Sequence, residues 1–116
     1  MFEIKNKVVL ITGASGGIGK FLSSELARKD AIVVIASRSA KELKALESEI
    51  KSYNLRVLSI YLDLTAHRSI ESMVRTIIKR YGRIDILINN AGVGLFETVQ
   101  SSKCDDIKKL FDTNLF

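Results

Sequence analysis

The chain has 116 residues, of which 47% are hydrophobic and 27% charged, a composition typical of one globular domain and unlike that of a disordered chain. Eighteen basic residues outnumber thirteen acidic ones, which gives a formal net charge of +5, but both signs are spread along the sequence. The densest basic group has no aromatic platform beside it, so we interpret it as a solvated helix face and expect no nucleic-acid partner. It comprises Arg75, Lys79, Arg80 and Arg83.

Four short apolar, β-branched runs predict strands that helices cover on both faces, at residues 8–11, 32–35, 57–61 and 84–88. Apolar residues at helical spacing predict four helices in alternation with these strands. The apolar positions are Ile18, Phe21, Leu22 and Leu26; Leu43, Leu46, Ile50 and Tyr53; Ile70, Met73, Val74, Ile77, Ile78 and Tyr81; and Ile107, Leu110, Phe111 and Leu115. We expect Ser39 to begin the second helix, Thr65 or Ser69 the third, and Ser102 the fourth. The alternation predicts an α/β fold with a Rossmann-type, doubly wound parallel sheet.

The whole chain, residues 1–116, is expected to be one part of a single domain. Its last helical pattern stops without a C-cap glycine, and the fourth strand would leave an apolar sheet edge open. We therefore expect a sheet truncated after its fourth βα unit, about half of a larger domain. A homo-oligomer is compatible with the full-length form.

Membrane, metal and disulfide functions are not expected. No apolar stretch approaches the roughly 20 residues that a bilayer span requires, and the N-terminus lacks the apolar region of a secretory signal. Cys104 is the only cysteine, which excludes an internal disulfide and fits a reducing compartment, with the cytoplasm as the default location. His67 is the only other soft ligand, too few for a metal site.

A glycine-rich turn follows the first predicted strand and opens the first helix, with the sequence Thr-Gly-Ala-Ser-Gly-Gly-Ile-Gly at residues 12–19. Glycines let the backbone turn sharply and approach a ligand, and the helix start presents unpaired N–H groups and a positive dipole end to a diphosphate. A tight strand–helix turn that is merely glycine-rich is the alternative. The context between strand and helix favours phosphate binding.

The turn has the spacing Gly-x-x-x-Gly-x-Gly, and with its leading threonine it resembles the signature of the short-chain dehydrogenase/reductase family. Two further motifs support the resemblance: Asn-Asn-Ala-Gly at residues 89–92 and Leu-Asp-Leu at residues 62–64. The resemblance implies strand order 3-2-1-4 and a nicotinamide cofactor bound where the strands end. It implies these cofactor-binding residues: Thr12, Gly13, Ser15, Gly17, Ile18, Gly19, Ser37, Arg38, Asp63, Leu64, Asn90, Ala91 and Gly92.

The residues after the second strand favour NADP(H) over NAD(H). An NAD site normally has an acid there for the ribose 2′-hydroxyl, but this segment contains Arg38 and no acid before Glu42. Arg38 can pair with a 2′-phosphate, and Ser37 and Ser39 can supply hydroxyl donors. A surface arginine at a helix start is the alternative, and the glycine turn lacks the second basic residue that NADP-preferring relatives often have.

The family resemblance implies hydride transfer between the cofactor and a small carbonyl or alcohol substrate. It places Asn114 in the catalytic relay, and Asn114 also falls on the apolar stripe of the fourth predicted helix, where an amide needs a partner or a function. A polar residue at a fraying helix end is the alternative. The family's catalytic serine and Tyr-x-x-x-Lys pair cannot be placed, because Val57, Thr65 and Asp85 stand four residues after the three tyrosines. We therefore expect this chain alone to bind cofactor without turnover, or else to be a non-catalytic nucleotide-binding or regulatory module that pairs with a full-length relative.

Overall fold

The computed structural model describes residues 3–63 and 65–90 and the strand at residues 95–98, with the backbone alone for residues 67 and 95–98. Its elements alternate along the chain, and their bounds are β1 Val8–Thr12, α1 Gly17–Arg28, β2 Ile32–Ser37, α2 Ala40–Lys51, β3 Val57–Tyr61, α3 His67–Tyr81, β4 Ile86–Asn89 and β5 Leu95–Thr98. The sheet has the order β3-β2-β1-β4-β5. The first four strands are parallel, which confirms the predicted fold class and strand order.

The fourth predicted strand is not an open edge, contrary to expectation, because β5 pairs with β4 in antiparallel register. The strand Leu95–Thr98 is four residues long, too short for its alternation to stand out in the sequence. β4 also begins later than predicted. The Asp85 N–H donates to the Val8 carbonyl at 2.9 Å, but the Val8 N–H donates to the Asp85 side-chain carboxylate at 2.8 Å and not to a backbone carbonyl.

The core consists of one apolar cluster on each face of the sheet. Residues of β1 and β2 pack against α3 on one face, through Ile70, Met73, Val74 and Ile77. On the other face they pack against α1 and α2, through Ala27, Leu43, Leu46 and Ile50. Because β1 is buried on both faces, its apolar run has no polar alternation.

Two expectations about the helices were wrong in detail. Ile18 and Phe21 are 68% and 64% exposed, whereas Leu22 and Leu26 pack against the core as predicted. The fully buried residues of α1 are Gly19, Ser23 and Ala27, at four-residue spacing. Small residues let this helix lie close to the sheet, and the search for large apolar residues missed them. The N-cap of α3 is Ala66 and not Thr65 or Ser69, whereas Ser39 is the N-cap of α2 as predicted.

No helix in the described part of the chain is long and apolar enough to cross a bilayer. Among the same residues, no group of three His, Cys, Asp or Glu side chains could hold a metal ion.

Candidate nucleotide-binding site

The glycine-rich turn joins β1 to α1 at the carboxyl edge of the sheet. Gly13 has a φ of 66°, a conformation that residues with a side chain rarely adopt. The Ala14 N–H donates to the Ala36 carbonyl at 3.1 Å, and the Gly16 N–H donates to the Gly13 carbonyl at 3.2 Å. The turn is therefore fixed to β2 as well as to β1.

The first turn of α1 presents free donors at this edge. Its first internal hydrogen bond runs from the Lys20 N–H to the Gly16 carbonyl at 2.8 Å, so the N–H groups of residues 17–19 have no acceptor within the described residues. The N-cap Gly16 adds no capping side chain, and the first turn has no acidic residue. Together with the helix dipole, these groups favour a bound anion.

Gly17 and Gly19 differ in what a side chain at each position would meet. A Cβ on Gly19 would collide with the Gly13 carbonyl and lie 2.8 Å from the Ala14 Cα, so α1 packs directly on the turn. A Cβ on Gly17 would meet no protein atom within 4 Å. Gly19 therefore serves the packing of the turn, while Gly17 leaves room for a ligand to approach the backbone.

The ends of β1 and β4 are joined by polar side chains. The Thr12 Oγ1 donates to the Asn89 Oδ1 at 2.8 Å, and both residues are buried. The Asn90 N–H donates to the Thr12 carbonyl at 3.2 Å, and its Nδ2 lies 3.5 Å from the Gly13 carbonyl oxygen. The first glycine of the turn and the Asn-Asn pair therefore meet where β1 and β4 end, which is the crevice in which the family resemblance places the cofactor.

The end of β2 carries a cation beside buried hydroxyls. Ser37 is 7% exposed, and its Oγ lies 2.6 Å from the Ser15 Oγ and accepts the Ser39 N–H at 3.0 Å. Arg38 is exposed and forms no hydrogen bond or ion pair within the described residues. A bidentate donor is thus available at the position where the sequence predicts it.

Asp63 follows β3 and is held by its own loop. The hydroxyl and N–H of Thr65 donate to its Oδ1 at 2.7 and 3.0 Å, and the Asp63 N–H donates to the Ser69 Oγ at 3.1 Å. The Thr65 hydroxyl is the largest cause that lowers the pKa of Asp63, followed by the Thr65 N–H and then by the charge of Arg38. Asp63 is therefore an anion at neutral pH.

The structure brings most of the predicted residues to one edge of the sheet. These are Thr12, Gly13, Ser15, Gly17, Ile18, Gly19, Ser37, Arg38, Asp63 and Asn90. Leu64, Ala91, Gly92 and Asn114 lie outside the described residues, as does the fourth predicted helix. Sequence reasoning missed the direct contact between Ser15 and Ser37. The only signal for it was the pair of hydroxyls that flank Arg38.

Comparison with known proteins identifies one family. The family described as short chain dehydrogenase matches residues 7–116. The chain is 36% identical to the NADPH-dependent pterin aldehyde reductase of Arabidopsis thaliana over 110 residues, which are 94% of this chain and 45% of that protein. It is 32% identical over 112 residues to the hydroxynaphthalene reductase arp2 of Aspergillus fumigatus, which are 96% of this chain and 41% of that protein. The chain thus spans less than half the length of these relatives.

Solved structures agree with the fold. A short chain dehydrogenase from Bacillus anthracis is 39% identical with a TM-score of 0.72, over 78% of this chain and 36% of that one. A metagenomic short-chain oxidoreductase in complex with NADP is 34% identical with a TM-score of 0.73, over 80% of this chain and 42% of that one. The 3-ketoacyl-(acyl-carrier-protein) reductase of Brucella melitensis, complexed with NADH, is 28% identical with a TM-score of 0.67, over 72% of this chain and 33% of that one.

Proposed function

Because the chain belongs to the short-chain dehydrogenase family, we propose that it forms the nucleotide-binding part of an NADP(H)-dependent oxidoreductase. The reaction is a hydride transfer between the nicotinamide ring and a small carbonyl or alcohol substrate. One observation carries the choice of cofactor: where β2 ends, an exposed arginine, Arg38, occupies the place of the acid that an NAD site uses.

Each part of the site has a separate task in this proposal. The free N–H groups at the start of α1 would bind the diphosphate, and the guanidinium of Arg38 would bind the 2′-phosphate. Asp63 lies at the adenine end, and Asn90 closes the crevice beside the turn. The donor set around the glycine turn and Arg38 fits the three phosphates of NADP(H), since it consists of N–H donors, hydroxyls and a guanidinium without a hydrogen bond to any described residue, while the carboxylate of Asp63 is assigned to the adenine end. The bound cofactor supplies or accepts the hydride.

The comparisons support a nicotinamide cofactor but do not choose between its two forms. The Arabidopsis relative is named as NADPH-dependent and the metagenomic structure contains NADP, while the Brucella structure contains NADH. The preference for NADP(H) therefore depends on Arg38.

The binding of NADP⁺ and NAD⁺ by the wild-type chain and by Arg38→Ala tests this assignment by isothermal titration calorimetry. We expect tighter binding of NADP⁺ by the wild-type chain. Loss of a charge-assisted pair should weaken NADP⁺ binding by about 10- to 100-fold, with little change for NAD⁺. Arg75→Ala is the matched control, since Arg75 is an exposed arginine on α3. Equal affinity of the wild-type chain for both nucleotides would contradict the proposal.

A non-catalytic nucleotide-binding module is the second candidate. The observation in its favour is that the groups brought together at the carboxyl edge, the N–H groups of residues 17–19, the Ser15 and Ser37 hydroxyls and Arg38, are suited to binding phosphates. Both candidates predict cofactor binding and no turnover by this chain. Added to a full-length relative, a regulatory module should change the rate of NADPH oxidation, whereas a part of an enzyme should not.

A further inference from the structure

Ser37 connects the two phosphate-binding elements of the site, which are 22 residues apart in the chain. Its Oγ lies 2.6 Å from the Ser15 Oγ in the glycine turn and accepts the N–H of Ser39, the residue after Arg38. Its carbonyl accepts the Leu62 N–H at 2.9 Å, which fixes the end of β2 against the end of β3. Ser37 is therefore held on three sides, and a hydroxyl so engaged has a restricted orientation.

Whether the Ser15 or the Ser37 hydroxyl can donate to a ligand depends on which of them donates in the bond between the two. A hydroxyl has one proton to donate and two lone pairs to accept with. Either hydroxyl can donate in the 2.6 Å contact, and we take Ser37 as the donor because this residue is buried and its Oγ already accepts the Ser39 N–H. With that bond formed, the half-buried Ser15 keeps its own proton for another acceptor in the crevice.

We propose that Ser37 is a positioning residue that aims the Ser15 hydroxyl at a phosphate oxygen of the cofactor's adenosine half and holds the backbone around Arg38. This inference rests on the proposed function and makes it more specific. The glycine-rich turn and the segment around Arg38 act as one unit, because the Ser37 Oγ orients both. Ser37 then affects cofactor selectivity through Ser15 and Arg38 and not through its own contact with the ligand.

A double-mutant cycle with Ser15→Ala, Ser37→Ala and the double variant tests the coupling, with NADP⁺ and NAD⁺ as probes. We expect Ser37→Ala to weaken NADP⁺ binding by about tenfold and NAD⁺ binding by less, since Arg38 has no 2′-phosphate to meet in NAD⁺. The double variant should bind as weakly as Ser37→Ala alone. Ser52→Ala is the control, because Ser52 loses one exposed hydrogen bond to the Glu49 carbonyl outside the site.

A second measurement needs no ligand. If the Ser37 Oγ holds the Ser39 N–H, Ser37→Ala should speed hydrogen exchange of that amide by about tenfold while the unfolding midpoint stays close to that of Ser52→Ala. An unchanged Ser39 exchange rate overturns the inference. The inference is also overturned if the affinity losses of the two single variants multiply in the double variant, or if Ser37→Ala weakens NADP⁺ and NAD⁺ binding equally. A wild-type chain that binds neither nucleotide refutes the proposed function itself, whereas multiplying losses in a chain that binds NADP⁺ refute only the role of Ser37.

Discussion

The two ends of the parallel sheet differ in whether they leave hydrogen-bond donors available to a ligand. At the carboxyl end, other polar side chains are paired, but the N–H groups that open α1 and the guanidinium of Arg38 form no hydrogen bond within the described residues. At the amino end, polar side chains bind one another and the backbone. The same four strands therefore end in donors available to a ligand and begin in groups that are already satisfied.

At the amino end, Arg56 and Arg83 both donate hydrogen bonds to Asn6. The Arg56 guanidinium donates to the Asn6 Oδ1 and to the Asp30 carbonyl, each at 2.8 Å. The Arg83 guanidinium donates to the Asn6 carbonyl at 3.0 Å and to the Asp85 Oδ2 at 2.8 Å. Asn6 and Asp30 both have a φ of 65°, which asparagine and aspartate tolerate better than other residues with a side chain.

This difference suggests that the amino end of the sheet serves stability and the carboxyl end serves nucleotide binding. Substitutions at the amino end should change the free energy of unfolding and leave nucleotide affinity alone. Substitutions at the carboxyl end should change affinity or local titration with little effect on stability. Each prediction below can contradict that division.

The largest effect is expected for Asn54→Ala at the amino end. The Asn54 Nδ2 donates to the Ala27 and Ala31 carbonyls at 3.0 and 2.9 Å, and its Oδ1 accepts the Arg56 N–H at 2.9 Å. Since Asn54 is buried, truncation leaves backbone groups without partners and should lower the free energy of unfolding by about 2–3 kcal/mol. Urea denaturation measures this loss.

The exposed Ser52→Ala variant is again the matched control, and we expect it to lose under about 0.5 kcal/mol. NADP⁺ affinity should be the same for both variants at a temperature where both are folded. A loss of affinity in Asn54→Ala would show that the two ends of the sheet are coupled.

A smaller loss is expected at Asp85, whose carboxylate oxygen accepts the Val8 N–H and the Arg83 Nε–H, each at 2.8 Å. Asp85→Ala leaves the Val8 N–H without an acceptor at the start of the central strand and should cost about 1.5–2 kcal/mol. Asp85→Asn keeps an acceptor oxygen and should cost about half as much. Equal losses in the two variants would show that the charge, and not the hydrogen bond to Val8, is what matters at this position.

The order of the elements could be predicted from the sequence because it depends on local periodicity. Apolar runs of four or five residues predict strands, and the α2 and α3 stripes predict the buried faces that the structure shows. The prediction was only half right for α1, where Leu22 and Leu26 pack against the core but Ile18 and Phe21 are exposed and Gly19, Ser23 and Ala27 are the buried residues. Close helix–sheet packing selects small residues there, and hydrophobic periodicity does not detect them.

The candidate site could be predicted where its chemistry lies within one short segment, as in the glycine turn and Arg38. The contacts between segments could not be predicted in this way. Nothing in the local sequence distinguishes Ser37, which meets Ser15, from any other serine at a strand end. Asn54 likewise reads as an ordinary turn residue, and its role depends on where α1 and β2 pass beside it.

The smallest effect is expected at the carboxyl end, for Thr65→Ala. The Thr65 hydroxyl is the main cause that lowers the pKa of Asp63 below its ordinary value of 3.8, so its removal should raise that pKa toward 3.8. A lowered carboxylate pKa stabilises the folded state above the unfolded-state value and loses that contribution as the pH falls through the folded-state value. Thr65→Ala should therefore be slightly less stable than the wild type at pH 7, and this difference should disappear as the pH falls below 3.8.

Carbon-13 NMR titration of the Asp63 carboxyl measures this shift directly. Arg38→Ala should raise the same pKa less, because the charge of Arg38 is a weaker cause than either Thr65 hydrogen bond. If Arg38→Ala gives the larger rise, the guanidinium is not free for a phosphate but is already paired with Asp63. The contrast between a satisfied amino end and an available carboxyl end would then fail at the residue on which the choice of cofactor depends.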